Sequence, residues 1–294
     1  MPKRLRLTAG TKFEHTRFTD SRWQPNARVW WAPTERNVFW GAVARALRSP
    51  SRADRDFNGT YLLFPADSLF VGAPPVLARL SGSPAFQSER LKAIDVGYRG
   101  QFRTNVMVDV SIFHNTYDHL RSSEVRLDSL EFVQNPFYIN VPVYADNKTS
   151  GTSKGMEISL DWHISARWRM RMAYSYLDIE LVPGVSSTEV GTANFAHESP
   201  AHQFNVRSYL NLANRLSLNI TGRFTDGLPA LDIEQYITAD VRVAWQANEQ
   251  WTVALVGRNL ANKIQQEFIS TATSTMPTAV KRSFYGTITW RLAR

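Results

Sequence analysis

Gly155-Met-Glu-Ile-Ser-Leu-Asp-Trp-His-Ile164 decides the fold. Met156, Ile158, Leu160, Trp162 and Ile164 fall on one side of an extended chain, and Gly155, Glu157, Ser159, Asp161 and His163 on the other. A period of two means strand, because successive side chains leave opposite faces of a pleated backbone. The pattern resumes at once: Trp168, Met170, Met172, Tyr174 and Tyr176 alternate with Arg169, Arg171, Ala173 and Ser175. Strands this long, apolar and aromatic on one side and polar on the other, suit a sheet standing between lipid and water. The reading is an all-β, antiparallel transmembrane barrel.

The rest of the chain keeps this rhythm. Alternating runs cover roughly 3–15, 23–32, 36–48, 89–101, 103–118, 141–165, 167–181, 201–213, 215–228, 235–247, 250–262 and 281–293, about a dozen strands. Short turns near Thr34, Phe102, Ala166, Ala213 and Asn248 alternate with long connections at 49–88, 119–140, 182–200 and 263–280, and shorter ones near 16–22 and 229–234. Short turns at one rim and long loops at the other are the outer-membrane layout. The 49–88 stretch carries Pro50, Pro65, Pro74, Pro75 and Pro84, so it is not strand throughout, and it is too long for a passive connection. Trp23, Trp30, Trp31, Trp40, Tyr98, Trp162, Trp168, Tyr174, Tyr176, Trp245, Trp251, Phe284 and Trp290 lie mostly near strand ends, as interfacial girdles require.

Composition narrows the class further. The 294 residues are 43% hydrophobic and 12% aromatic, with a mean hydropathy of −0.31. No run approaches the ~18 apolar residues of a membrane helix, so a membrane span here has to be a closed sheet. The cysteine count is zero, which excludes disulfides and thiolate metal sites. The net charge of +8 comes from Arg and Lys scattered singly along the strands, without a basic block, so nucleic acid is not an expected partner. Met1-Pro-Lys-Arg-Leu-Arg-Leu7 lacks the apolar core of an export signal. Since an outer-membrane barrel must be exported, the chain reads as truncated at its N-terminus.

Several segments resemble the C-terminal half of the barrel of TonB-dependent outer-membrane receptors. Trp40-Gly-Ala-Val-Ala-Arg-Ala-Leu-Arg-Ser-Pro-Ser-Arg52 is similar to the strand that runs into an Arg-x-Pro-Ser loop start, and Gly155-Met-Glu-Ile-Ser-Leu-Asp-Trp162 to the family's Gly-x-Glu strand. Tyr174-Ser-Tyr-Leu177 resembles the strand after it, and Ser199-Pro-Ala-His202 a Ser-Pro-x-His strand opening. Gly257-Arg-Asn-Leu260 resembles the Asn-Leu before the last long loop, and Arg282-Ser-Phe-Tyr-Gly-Thr-Ile-Thr-Trp-Arg291 the closing strand, although the chain ends on Leu-Ala-Arg294 rather than on an aromatic residue. The resemblance implies a barrel of about 22 strands, a plug domain and a TonB-contacting box. Residues 1–294 then form one N-terminally truncated barrel domain, about 12 strands of it, with 49–88 as a long extracellular loop.

The resemblance also implies a bacterial outer-membrane location and uptake of a nutrient, an iron–siderophore complex being the leading cargo. The implied partners are outer-membrane lipid, the barrel-insertion machinery, a small ligand such as a ferric siderophore, and the TonB complex, whose contact box lies outside this sequence. A non-functional receptor fragment and a plugless passive pore are the alternatives. Twelve strands leave two borders, near Leu5–Phe13 and Phe284–Leu292. Unpaired backbone groups are costly in lipid, so the expected structure closes the twelve into a smaller barrel.

No catalytic, cofactor or metal site is expected. Glu157, Asp161 and His163 share a face, but i, i+4 and i+6 on a strand spread over ~20 Å, too far for one ion. His197-Glu198 with His202 misses the zinc-protease spacing, and Pro200 intervenes. Nucleotide-binding, serine-hydrolase and EF-hand patterns are missing. Asn58 and Asn147 open glycosylation sequons, which carry no meaning in a bacterial envelope. Arg45, Arg48, Arg52 and Arg55 lead into the long loop; they are either a basic mouth for an anionic chelate or solvated rim charge. The ligand-binding residues stay unassigned.

Overall fold

The computed structural model describes residues 4–16, 19–189, 191–269 and 277–292. Its strands are β1 (Arg4–Thr16), β2 (Thr19–Thr34), β3 (Asn37–Arg48), β4 (Asn58–Phe64), β5 (Val76–Ser81), β6 (Glu89–Arg103), β7 (Val106–Val125), β8 (Glu131–Gln134), β9 (Phe137–Ser165), β10 (Trp168–Pro183), β11 (His202–Ala213), β12 (Leu216–Thr225), β13 (Tyr236–Gln246), β14 (Trp251–Arg258), β15 (Ile264–Gln266), β16 (Ala279–Lys281) and β17 (Ser283–Trp290). Two five-residue helices, α1 (Arg52–Asp56) and α2 (Thr192–Ala196), are the α-helices among the described residues. Twelve strands form one meander in the order β1-β2-β3-β6-β7-β9-β10-β11-β12-β13-β14-β17, every neighbouring pair antiparallel. These are the dozen strands legible in the alternation.

Register makes the two faces continuous. Leu160 lies opposite Met172 and Val108, and Leu218 opposite Leu210 and Val243. Along the other face Asp161 lies opposite Arg171 and Met107, and Asn219 opposite Tyr209 and Arg242. A slip of one residue would turn a whole strand inside out; away from the register shifts at strand ends, outward residues meet outward residues from β1 to β17. Leu7, Val43, Ile94, Val96, Ile112, Leu255 and Ile288 stand exposed on the apolar face, an arrangement that lipid, not water, accommodates.

The short-turn rim is a continuous band. Turns at 35–36, 104–105, 166–167, 214–215 and 247–250 lie within two residues of their expected places. Each lends a carbonyl to the next strand: Arg36 O accepts from Gln101 N–H at 2.8 Å, Asn105 O from His163, Arg167 O from Asn211, Arg215 O from Gln246 and Gln250 O from Arg291. Above this rim lies an aromatic row. Trp31, Phe39, Tyr98 and Phe102 follow one another at ring distances of 5.5, 4.9 and 6.3 Å, and Trp251 stacks on Trp290 at 5.9 Å. Trp30 and Trp40 depart from the expected girdle. They pair across β2 and β3 on the concave face, where Trp40 lies over Gly97.

At the opposite rim the chain folds more than its sequence indicates. Residues 49–88 contain α1 and the β4–β5 hairpin, and β5 adds itself in parallel to β9 with Val76 opposite Ile139. The expected connection at 119–140 is shorter, because β7 and β9 keep pairing as far as Val125 opposite Val143, and β8 pairs back on β9. The end of this ladder is buried by Leu80, Val143 and Ala145, and Leu228, Leu231 and Ile233 form a second apolar cluster between β12 and β13. Within the expected 263–280 connection β15 and β16 pair as a small separate ribbon; 270–276 lie outside the described residues, as does residue 293 of the expected 281–293 strand.

The expected self-closure does not occur. β1 and β17 are the two ends of the strand order and do not pair with each other among the described residues. Closing a ring of twelve would bend the sheet more sharply. That would press together the long inward side chains of Trp30, Trp40, Arg99, Arg169 and Arg223, which lie on the concave side. The sheet is an arc of a barrel wall.

Candidate functional site: the lumen wall and the long-loop rim

The concave face is polar, and its charges are arranged across strands. Arg99 on β6 bonds Asp109 on β7 at 2.5 Å. Asp161 on β9 accepts from Arg169 Nε at 2.7 Å and Arg171 Nε at 3.1 Å, both from β10. Arg223 on β12 reaches Asp240 on β13 at 2.6 Å and Thr238 Oγ1 at 3.2 Å. Each pair joins residues at or next to directly opposite positions, where cross-strand attraction works best. From β6 to β13, four charges on this face make no ion pair to any described residue: Arg207, opposite Arg171, Arg242, opposite Asn219, Asp95, opposite Phe113, and Glu157, opposite Ser111. Between these pairs runs a depression of about 410 Å³ lined by Asp109, Ser111, Glu157, Ser159, Gln203 and Asn205. Its floor offers hydroxyls, amides and carboxylates to whatever passes along the wall.

The sequence-derived inward set, Glu157, Asp161, Arg169, Arg171, Asn205, Arg207, Asn219, Arg223 and Arg242, lies on this face, and Met156, Ile158, Leu160, Trp162, Met170, Met172, Leu216, Leu218, Ile220, Val253 and Leu255 lie on the other. Asp161 is taken up by two guanidinium groups, with His163 Nε2 at 3.7 Å, and Glu157 stands across from Ser175 and Ser111. His202 packs against Tyr174 and Tyr176, and its Nδ1 lies 2.9 Å from the Tyr174 hydroxyl. No group of three potential metal ligands forms among the described residues.

The four arginines leading into the long loop do not make a common basic mouth. Arg48 forks onto Glu89, with Nε and Nη2 each at 2.7 Å from a carboxylate oxygen, and Nη1 reaches Asp54 at 3.3 Å. Arg121 approaches the other oxygen of Asp54 at 3.4 Å, and Arg52 lies 3.7 Å from Asp56. Arg45 lies on the outward face, opposite Lys92. Arg55 has its own interaction. Asp54 is the hub. It caps α1 through the Ser51 capping box and is almost fully buried. Burial pushes its carboxyl up, but the Ser51 hydrogen bonds and the charges of Arg48 and Arg121 outweigh this and hold it below the usual range.

A second knot holds the 184–201 connection. Glu124, at the tip of β7 beyond the apolar belt, is buried and accepts from Ser187 Oγ at 2.8 Å, Thr188 N–H at 2.7 Å and Thr188 Oγ1 at 3.0 Å. Lys148 Nζ stands 3.5 Å away. Burial raises the Glu124 pKa, and the hydrogen bonds from Ser122, Thr188 and Ser187 overcome it, leaving the group at about 2. In return Glu189 accepts from the Ser123 N–H. Alternation and motif spacing do not mark Asp54, Glu89, Arg121 or Glu124. The one local signal was Ser51 followed by an acid three residues later, the capping-box pattern.

The family model described as TonB dependent receptor-like, beta-barrel, matches residues 2–260. No curated protein matches the sequence. Among solved structures, the siderophore receptor PirA of Acinetobacter baumannii superposes with a TM-score of 0.70 at 14% identity, over 97% of this chain and 43% of that one. The ferric enterobactin receptor PfeA of Pseudomonas aeruginosa, as a mutant in complex with enterobactin, gives 0.70 at 15% identity, again over 97% and 43%. The ferric-catecholate import receptor Fiu of E. coli gives 0.65 at 14% over 92% and 35%. The chain thus spans less than half the length of the solved proteins it matches.

Proposed function

Because this chain belongs to the TonB-dependent receptor β-barrel family of the bacterial outer membrane, we propose that it is the lumen wall and ligand-facing rim of a receptor importing a nutrient, with an iron–siderophore chelate as the cargo. The observation that carries the reading is the concave face. It is polar from β6 to β13, laced by Arg–carboxylate pairs, and keeps Arg207 and Arg242 without ion-pair partners among the described residues. Unpaired guanidinium groups on a concave wall attract anionic solutes, and catecholate chelates of iron are anionic. The neighbours' roles as siderophore receptors point the same way. In this reading the short turns face the periplasm and the 49–88 and 184–201 segments face the medium. The chain works as receptor and transporter wall, without acid–base or covalent catalysis.

The experiment is uptake of radiolabelled ferric siderophores, enterobactin among them, by cells making the full polypeptide that carries this sequence. Uptake that disappears with TonB supports the reading. A second reading rests on the two bare strand edges: expressed alone behind an export signal, residues 1–294 neither insert efficiently nor import. TonB-independent diffusion of small solutes through that product would instead favour a passive pore.

A further inference from the structure

At the short-turn rim between β11 and β17 the concave face ends in a small niche of about 200 Å³. Three arginines line it: Arg215 from the turn before β12, Arg242 from β13 and Arg291 from just past β17. Alternation puts all three on the lumen side. Arg242 lies opposite Asn219, Arg215 precedes Leu216, which meets outward Trp245, and Arg291 is two residues beyond Thr289, which meets Thr252. Asn211, Ser217 and Thr252 add amide and hydroxyl donors, and the small side chain of Ala244 leaves room at the floor.

Backbone bonds fix the frame. Gln246 N–H donates to Arg215 O at 2.8 Å, Ala247 N–H to Trp251 O at 3.0 Å and Arg291 N–H to Gln250 O at 2.9 Å. Arg215 Nη1 ties back to Ala247 O at 3.1 Å. No carboxylate lines the niche. Asp240 and Glu249 are the two acids on β11, β12, β13, β14, β17 and their short turns. Asp240 is held by Arg223, and Glu249 lies exposed on the 247–250 turn. Arg215, Arg242 and Arg291 make no ion pair with any described residue. Like charges around so small a space repel one another, and these strands supply no counter-charge to relieve them.

We propose that the niche binds a small tetrahedral oxyanion of the phosphate class, its oxygens shared among the three guanidinium groups. Guanidinium forks match the oxygens of phosphate two at a time, and three positive charges suit a dianion better than chloride or a lone carboxylate. Volume sets the upper limit. Pockets that enclose drug-sized ligands run to ~300–1,000 Å³, so a whole iron–siderophore chelate does not fit. The site is therefore independent of the cargo. Its consequence is mechanical: the anion joins the β11–β12 turn to β13 and to the last strand, and steadies the short-turn end of β17.

The test uses the full polypeptide carrying this sequence, purified in neutral detergent. Inorganic phosphate replaces chloride at constant ionic strength, so that general screening stays fixed. Binding is read by calorimetry and by hydrogen exchange at the Gln246 and Arg291 amides. Wild type should bind phosphate saturably with sub-millimolar affinity, sulfate should compete, and both amides should exchange more slowly as the site fills. Arg242→Gln and Arg291→Gln should each lower the affinity about tenfold, the loss of one charge-assisted contact. Arg167→Gln, on another short turn of the same rim, should leave it unchanged. Ala244→Leu, which fills the floor with every cation in place, should lower it as well, and heat-modifiable mobility shows that each variant is folded. Absence of saturable phosphate binding, equal protection by chloride, unchanged affinity in the Arg242 and Arg291 variants, or an equal loss in Arg167→Gln would each overturn the proposal.

Discussion

Arg48 and Glu89 face each other across the end of β3 and the start of β6, their guanidinium and carboxylate joined by two hydrogen bonds of 2.7 Å. They stand 41 positions apart in the chain, so this fork closes the base of the whole 49–88 excursion. Asp54, Arg121 and α1 then build on it.

Arg48→Ala should therefore loosen the loop rather than the wall. The pair is partly exposed, so its loss should cost at most ~1 kcal/mol of overall stability. Asp54 loses one of its two cations at the same time. Limited proteolysis should show faster cleavage within 57–88, with unchanged heat-modifiable mobility of the barrel.

Glu124 makes the rim sensitive to acid. Its folded pKa of about 2 lies below the ordinary 4.5, so its stabilising effect is complete above pH 4.5 and is lost as pH falls from there toward 2. Hydrogen exchange at Ser187 and Thr188 should accelerate over that interval and stay flat above it. Glu124→Gln should give fast exchange at neutral pH, costing roughly 1.5–3 kcal/mol of local stability.

Leu160 and Asp161 are neighbours in sequence on opposite faces. Leu160→Arg or Leu218→Arg should cost roughly 2–4 kcal/mol if the position lies near the bilayer midplane. Ser159→Arg, on the lumen side, should cost far less. Equilibrium unfolding from lipid vesicles measures both, and equal penalties would contradict the assignment of faces.

Gly97 is reserved for Trp40. A β-carbon there would fall 2.3 Å from the indole, so Gly97→Val should push the ring away and cost about 1–3 kcal/mol. A shift in Trp40 fluorescence, read in a variant lacking the other tryptophans, should accompany the loss.

The wall was legible because its physics is local. Each strand from Leu5 to Trp290 reports its own two faces through side-chain alternation, and Asn105, Asn214 and Asn248 mark three of the short turns where it reverses. The rim was not. Glu89 meets Arg121, Arg121 meets Asp54 and Glu124 meets Ser187 through contacts 32 to 67 positions apart, and apart from Ser51 before Asp54 no neighbour in sequence marks them. Arg45 shows the same limit: one residue's parity moves it from a supposed mouth to the lipid side. Closure also escaped the sequence, because strand count fixes which edges could meet but not the curvature that brings them together.

The central claim is that one face of this sheet meets lipid and the other water. The chain has no cysteine, so single cysteines can be placed without background at 168 to 176 along β10. They would be probed with a membrane-impermeant maleimide in outer-membrane vesicles containing the full polypeptide. Positions 169, 171, 173 and 175 should label, and 168, 170, 172, 174 and 176 should stay protected. Labelling without a two-residue period, or with the opposite phase, would contradict the account.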